Sequence, residues 1–232
     1  MDSIVRSLFQ PARFFRENEG RPGWIGPFIS ICLISMFCAW LTLPFVERAV
    51  ALSMEPSMNS TAASDAAAAT RDMRLIGIAL VPLERLVRWG FVSLLLFAAV
   101  RTLSAAPVTF RTVFAIVICS QMVFAVMTLL NVAVLHLRGL EGVTHSMDLN
   151  ALPGLDLFLS NKVQNKVWYT VLSAVNPFTL WHAFVLATGL TAAASLTPAR
   201  SYGIVFGLWL TGIAFEVTMV IITQRLVAGA MG

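Results

Sequence analysis

Five apolar stretches divide this 232-residue chain. They fall at about 24–46, 83–103, 112–137, 177–196 and 202–227, and each is long enough to cross the roughly 30 Å hydrocarbon core of a bilayer as a helix. The sequence therefore predicts an all-α fold: an integral membrane bundle of five transmembrane helices, with amphipathic helices at the N-terminus and on the outer side. Residues 1–23 form a cytoplasmic interfacial segment and 24–232 the five-span membrane domain. The composition agrees, with 58% hydrophobic and 12% charged residues against soluble norms of about 45–50% and about 25%. Most polar residues sit in connecting segments too short for a folded catalytic domain.

The net charge of +4 comes from arginines spread around the ends of the spans, with no basic run, so nucleic-acid binding is excluded as a function class. Cys32, Cys38 and Cys119 all fall inside predicted spans and read as small buried hydrophobes; neither a disulfide framework nor a Cys/His metal site is supported. The first span begins at Trp24, after Arg6, Arg13, Arg16 and Arg21, and lacks an A-x-A site, so it reads as retained and not as a cleaved signal peptide.

The N-terminal segment sets Ile4, Val5, Leu8, Phe9, Phe14 and Phe15 among arginines, with Pro11 breaking any continuous helix. This suits a segment whose apolar groups enter the headgroup boundary while Arg13 and Arg16 meet anionic lipid; a solvated tail is the plain alternative. Trp24, Trp168 and Trp181 are expected at the membrane interface too. Pro44 should bend or end span one. The segment 47–74 reads as a loop with a short helix outside the membrane, with Ser60, Thr61 and Ser64 as candidate caps.

Span two is unusual, because Pro82, Glu84, Arg85 and Arg88 crowd its first half. The arrangement expected is a short helix near the outer interface, a break at Pro82, and a crossing over about 83–103. After span three, Leu155, Leu159, Val163, Val167 and Val171 recur every four residues, with Asn161, Lys162, Asn165 and Lys166 on other faces. That spacing predicts an amphipathic helix at the outer surface. Asn176 and Pro177 form a helix start into span four.

Orientation follows from the arginines. With the N-terminus inside, the inner segments carry Arg6, Arg13, Arg16, Arg21, Arg101, Arg111 and Arg200, while the outer segments mix in Glu47, Glu55, Asp65, Asp72, Glu141, Asp148 and Asp156. Five spans then place the C-terminus outside.

Glu84 and Arg88 stand i,i+4 and can neutralise each other on one helix face, which leaves Arg85 in need of a partner. Glu216, near the middle of span five, is the candidate, since a carboxylate at that depth is costly alone. Glu84, Arg85, Arg88 and Glu216 therefore form the expected intramembrane polar cluster, with Glu216 facing the bundle interior. Its functional reading is a polar pathway or a lipid-headgroup site; its plain reading is an ion pair that fixes helix register. Gln121 and Asn131 in span three are candidates for interhelical hydrogen bonds. His182, near an end of span four, reads as an interfacial histidine. His136 and His145 lack the spacing of a zinc site, and no metal or cofactor is expected. No H-E-x-x-H, P-loop or G-x-S-x-G motif is present. Small residues, Gly203, Gly207 and Gly212 in span five and Ala187, Gly189 and Ala193 in span four, would allow close helix approach.

Three segments carry a family resemblance: SLFQPARFFRENEG before span one, NPFTLWHAFVLATGL into span four, and LTPARSYGIVFGLWL into span five. With Pro11, Phe14 and Phe15 in the first and Phe178, Leu180, Trp181 and Gly189 in the second, the chain resembles bacterial members of the Yip (Ypt-interacting protein) domain family. The resemblance implies five transmembrane helices in the bacterial inner membrane, N-terminus in the cytoplasm and C-terminus in the periplasm. Eukaryotic relatives are associated with vesicle traffic and Rab-type GTPases, but the long cytoplasmic N-terminal region of many eukaryotic members is not expected here and the inner loops read as too short for a GTPase docking site, so that role is not carried over.

The function expected is a non-enzymatic membrane scaffold or subunit, working by helix packing and lipid organisation. Its partners are membrane lipids and other membrane proteins or itself. The alternative is a transporter or permease component for a lipid or hydrophobic molecule that uses the charged cluster. A membrane enzyme ranks below both, because no convergent set of acids, bases or metal ligands can be assembled.

Overall fold

The computed structural model describes residues 2–18, 22–54, 60–104, 107–152, 154–159 and 166–230, and these are helical with no strand among them. Arg21, Glu55, Asn161, Lys162, Val163 and Asn165 lie outside the described residues, as do the side chains of Ser60, Thr61, Ser64 and Asp65. Nine α-helices are described: α1 (Asp2–Phe9), α2 (Pro11–Glu17), α3 (Ile25–Leu41), α4 (Leu43–Met54), α5 (Ser60–Leu103), α6 (Phe110–Arg138), α7 (Lys166–Ser173), α8 (Pro177–Ala194) and α9 (Pro198–Ala230). Four helical segments are long and apolar enough to cross a bilayer: Arg71–Leu103, Phe110–Arg138, Pro177–Ala194 and Pro198–Leu226. Ile25–Leu41 and Leu43–Leu52, bent by 47° at the break between them, are long and apolar enough only as a pair, so the described helices give four spans, or five if this bent pair is one span. The chain is a multi-pass, all-α membrane bundle.

Prolines punctuate it unevenly. Pro11 disfavours helical backbone at Gln10 (φ −133°, ψ 53°), which separates α1 from α2. Pro44 cannot donate to the carbonyl of Trp40, and the bend expected there lies between α3 and α4. Pro82 behaves otherwise. The break expected at this residue is absent, because α5 runs unbroken for 44 residues with Pro82 inside it. One lost N–H bond does not end a helix whose flanks, Gly77–Val81 excepted for its glycine, are good helix formers, and membrane helices re-satisfy the freed carbonyl locally. At 1.5 Å per residue α5 is about 66 Å long, roughly twice the hydrocarbon core.

The expected helix through Leu155 and Val171 is also revised. Leu155–Phe158 is a 3₁₀ turn that ends in extended backbone at Leu159 (φ −88°, ψ 113°), while Lys166–Ser173 is α-helix. Buried Asp156 fixes this turn by accepting from the N–H of Gly154 at 2.9 Å, a local bond that competes with helix.

The chain packs as two units. The first comprises Met1–Trp24, Val92–Val123 and Pro153–Gly232. Its core is the first half of α6, where Val113, Ile116, Val117, Ile118, Cys119 and Val123 are all fully buried. Helix α8 starts where the sequence places it: Asn176 Oδ1 accepts from Thr179 N–H (2.9 Å) and Thr179 Oγ1 accepts from Asn176 N–H (3.2 Å), with Pro177 at the first helical position. It ends at Ser195 in left-handed backbone (φ 51°). Ser104 Oγ donates to the Ala194 carbonyl at 2.7 Å, and Thr191 Oγ1 donates to Ser201 Oγ on α9 at 2.9 Å.

The N-terminal helices dock on α8, which corrects the expectation that Phe14 and Phe15 dip into lipid. Phe15 is fully buried and Phe14 nearly so. A Cβ on Gly189 would stand 2.5 Å from Ile116 Cγ2 and 3.0 Å from the Phe15 ring, so α2 and α6 both reach α8 only because residue 189 has no side chain. Trp181 Nε1 donates to the Leu8 carbonyl at 3.1 Å, and its ring lies 5.5 Å from that of Phe9. Glu17 pairs with two of the segment's arginines: it accepts from Arg13 Nε at 2.6 Å and lies 3.6 Å from Arg6. The hydrogen bond from Arg13 holds the Glu17 carboxyl below its ordinary value.

The second unit comprises Ile25–Phe91 and Phe124–Leu152. Phe45, Ala49, Leu135, Val143 and Ala151 form its buried cluster, which ties α4 to the end of α6 and the loop after it. Asn131 clamps that loop: its Nδ2 donates to Leu149 O (2.9 Å) while its Oδ1 accepts from Ala151 N–H (2.7 Å). Asp148 accepts from Thr144 N–H, Thr144 Oγ1 and His145 N–H, each at 2.8 Å. Partial burial raises its carboxyl, and these hydrogen bonds outweigh that and hold it below the ordinary range.

The Gly189 contact generates a stability prediction. Gly189→Ala should lower the thermal unfolding midpoint of the purified protein by an amount equivalent to about 1–3 kcal/mol of overpacking, and the double variant Gly189→Ala/Ile116→Ala should lose less than the two single variants added together. An unchanged midpoint in Gly189→Ala would show that α2 and α6 do not meet α8 at this residue.

Candidate functional site

The helical rise that carries α5 through Pro82 places Glu84, Arg85, Arg88 and Trp89 on consecutive turns. Arg85 Nε lies 3.3 Å from Glu84 Oε2, and Arg88 Nη1 lies 3.9 Å from Glu84 Oε1. One carboxylate thus serves two guanidinium groups and leaves a formal charge of +1 (two Arg less one Glu) on this stretch. The Arg85 contact is an ion pair without hydrogen-bond alignment, because its buried Nε has no hydrogen-bond partner among the described residues. The guanidinium instead lies over Trp89, 5.7 Å from the ring centroid, a favourable cation–π position. Trp89 is itself buried and meets Phe28 of α3 edge-on at 6.0 Å.

The other side of this stretch is open. Glu84 and Arg88 are exposed at 51% and 63%, and Leu83, Val87 and Phe91 beside them are exposed as well. The site is therefore a charged triad on an apolar helix face, anchored by Arg85 and Trp89. It can hold an anionic group, a phosphate or carboxylate, against Arg88 and the part of Arg85 that Glu84 does not neutralise.

Glu216 does not face the bundle interior as the sequence reading expects. It is exposed on α9 between Phe215 and Met219, which are exposed as well, and makes no ion pair among the described residues. The reason is that α9 is buried near its start, at Ser201 and Val205, and only 6% of the residues in its apolar 18-residue stretch are buried.

The other singled-out residues take various places. Gln121 Nε2 lies 3.3 Å from His182 Nε2, between α6 and α8, while Asn131 bonds loop backbone and not a helix. Trp24 packs edge-on against Phe114 at 5.3 Å, Trp168 is exposed on α7, and Trp181 anchors α1. Arg13 is exposed and paired with Glu17, and Arg16 Nε donates to Ala12 O. Sequence reasoning missed the grouping of His182 with Ser120, whose buried Oγ lies 3.2 Å away. The signal was there: Ser120 and Gln121 are adjacent polar residues deep in an apolar span, and such residues find partners across helices.

If Glu84 serves both arginines, Glu84→Gln should destabilise the protein by about 1 kcal/mol or more, and more than Arg88→Gln. The double variant Glu84→Gln/Arg88→Gln should be less destabilised than the two single costs added together. Strict additivity in thermal unfolding would mean that the two side chains do not interact.

No curated protein and no solved structure matched. A family model, the Yip1 domain, matches residues 5–219. That range holds every contact described between the N-terminal helices and α8, from Leu8 and Phe15 to Trp181 and Gly189. On a match that covers nearly its whole length, this chain belongs to the Yip1 domain family.

Proposed function

We propose that the chain is a non-enzymatic subunit or scaffold of the bacterial inner membrane, acting through helix packing with membrane partners and through ordering of adjacent lipid. The observation that carries this reading is Glu216, an acidic side chain exposed on a span in whose apolar 18-residue stretch only 6% of the residues are buried. An acidic side chain at the centre of a membrane helix costs about 2.5–3.5 kcal/mol on insertion scales. A helix from a second copy or another membrane protein that brings a cation or hydrogen-bond donor removes that cost. The charge pattern of the short connections supports a cytoplasmic N-terminus: the two that would lie on that side carry Arg101, Arg111 and Arg200 with no acidic residue, whereas the longer segments on the other side mix both signs. The second reading, a transporter component for a lipid or other hydrophobic molecule, is favoured by the exposed, net-positive triad on α5.

Site-specific photocrosslinking in native membranes separates the two. A photoreactive residue at Phe215 or Met219 should give a protein adduct that weakens severalfold in Glu216→Leu. Adducts with lipid alone, together with lipid flux by the purified protein in liposomes, would overturn the subunit reading in favour of transport.

A further inference from the structure

A second polar site lies in the unit built from α3, α4, the first part of α5 and the second half of α6. A cavity of about 370 Å³ opens at the bend between α3 and α4. Its apolar wall is Leu41, Leu43 and Pro44, and its polar wall is Glu47, Arg71 and His136, with Trp40 at the side. The bend comes where the apolar run ends: no charged residue occurs from Trp24 to Val46, and Glu47 and Arg48 follow at once. That is the composition of a membrane–water boundary, where an indole such as Trp40 is at home.

The two charges in the cavity are close but not consummated. Glu47 Oε1 and Arg71 Nε are 3.7 Å apart, beyond hydrogen-bond length, so each retains bonding capacity. His136 Nδ1 lies 2.9 Å from the Val132 carbonyl and so donates to it, which leaves Nε2 for another partner. Its ring is held edge-on to Phe45 at 4.9 Å. Trp40 is 58% exposed and its ring stacks on Phe37, one turn back along α3, at 6.5 Å.

We propose that this cavity binds a phosphoethanolamine headgroup, its ammonium donating to Glu47 and its phosphate accepting from Arg71. Adjacent opposite charges match a zwitterion and leave neither a pure anion nor a pure cation fully paired. A primary ammonium fits better than a quaternary one, because Glu47 offers an acceptor for N–H groups, whereas quaternary ammonium recognition relies on a cage of several aromatic rings and here one indole lines the cavity. The apolar wall and the exposed Trp40 and Phe37 continue from the cavity along α3, a path for the acyl chains of a lipid. None of these residues belongs to α9, so this site stands or falls apart from the Glu216 reading.

Native mass spectrometry of the full chain, with dioleoyl phosphatidylethanolamine, phosphatidylcholine and phosphatidylglycerol added in turn, tests the site. Phosphatidylethanolamine should be retained in preference to both others, and Glu47→Gln or Arg71→Gln should each reduce that preference about tenfold, the scale of one charge-assisted hydrogen bond. Trp168→Ala should leave it unchanged. In the unmodified chain, a phosphatidylethanolamine with a photoreactive headgroup should label peptides that contain Trp40, Glu47 or Arg71, a readout that does not depend on the variants folding. Displacement of the lipid by millimolar soluble phosphoethanolamine would support the headgroup chemistry and identify the free zwitterion as a ligand; lack of displacement would assign the site to lipid. Equal retention of the three lipids, a preference for phosphatidylglycerol, or a preference untouched in both charge variants would overturn the proposal.

Discussion

One close approach in the first unit is made possible by a missing side chain. At Gly189, α8 presents bare backbone to Phe15 of α2 and to Ile116 of α6, and a Cβ there would collide with both. Lipid tails are as apolar as phenylalanine, so the hydrophobic effect alone gives Phe15 little reason to leave the bilayer for the protein. Close packing against backbone supplies it, because many dispersion contacts form at once. The bond from Trp181 to the Leu8 carbonyl, two turns of α8 away, then fixes the angle at which α1 follows. Phe15, Trp181 and Gly189, which carry the family resemblance, thus all take part in the packing of the N-terminal helices on α8.

Charged groups on two of the apolar helices are treated differently. On α5 the charges neutralise one another locally, with Glu84 shared between Arg85 and Arg88 and Trp89 beneath Arg85. On α9 no such device is present among the described residues, and Glu216 is exposed. This contrast separates a stretch that satisfies itself from one that calls for an outside partner, and it is why the subunit reading rests on α9 and not on α5.

Much of the architecture was legible from residue order. The apolar runs gave the membrane helices because run length and bilayer thickness are tied by the helical rise. Asn176 with Pro177, and Pro44, announced a helix start and a bend through strictly local chemistry. What the sequence hid was tertiary. Pro82 looked like a break because propensity does not report how a membrane helix re-satisfies one carbonyl. The repeat from Leu155 to Val171 looked like one helix because periodicity does not weigh the bond from Gly154 to Asp156. Phe14 and Phe15 looked like lipid anchors, and Glu216 like an interior residue, because an amphipathic pattern shows which groups avoid water and not what covers them. Gln121 and Asn131 were legible as polar glue, but their partners, His182 and a loop backbone, were not.

The central claim is that the N-terminal helices are packed into the protein at Gly189 and do not float at the lipid surface. Its most direct test is a nuclear Overhauser measurement on the protein in lipid nanodiscs, with phenylalanine ring protons and glycine α-protons selectively labelled and Phe15→Leu used for assignment. The structure predicts cross-peaks between the Phe15 ring and the Gly189 α-protons. Cross-peaks from Phe15 to lipid acyl chains, with none to Gly189, would contradict it.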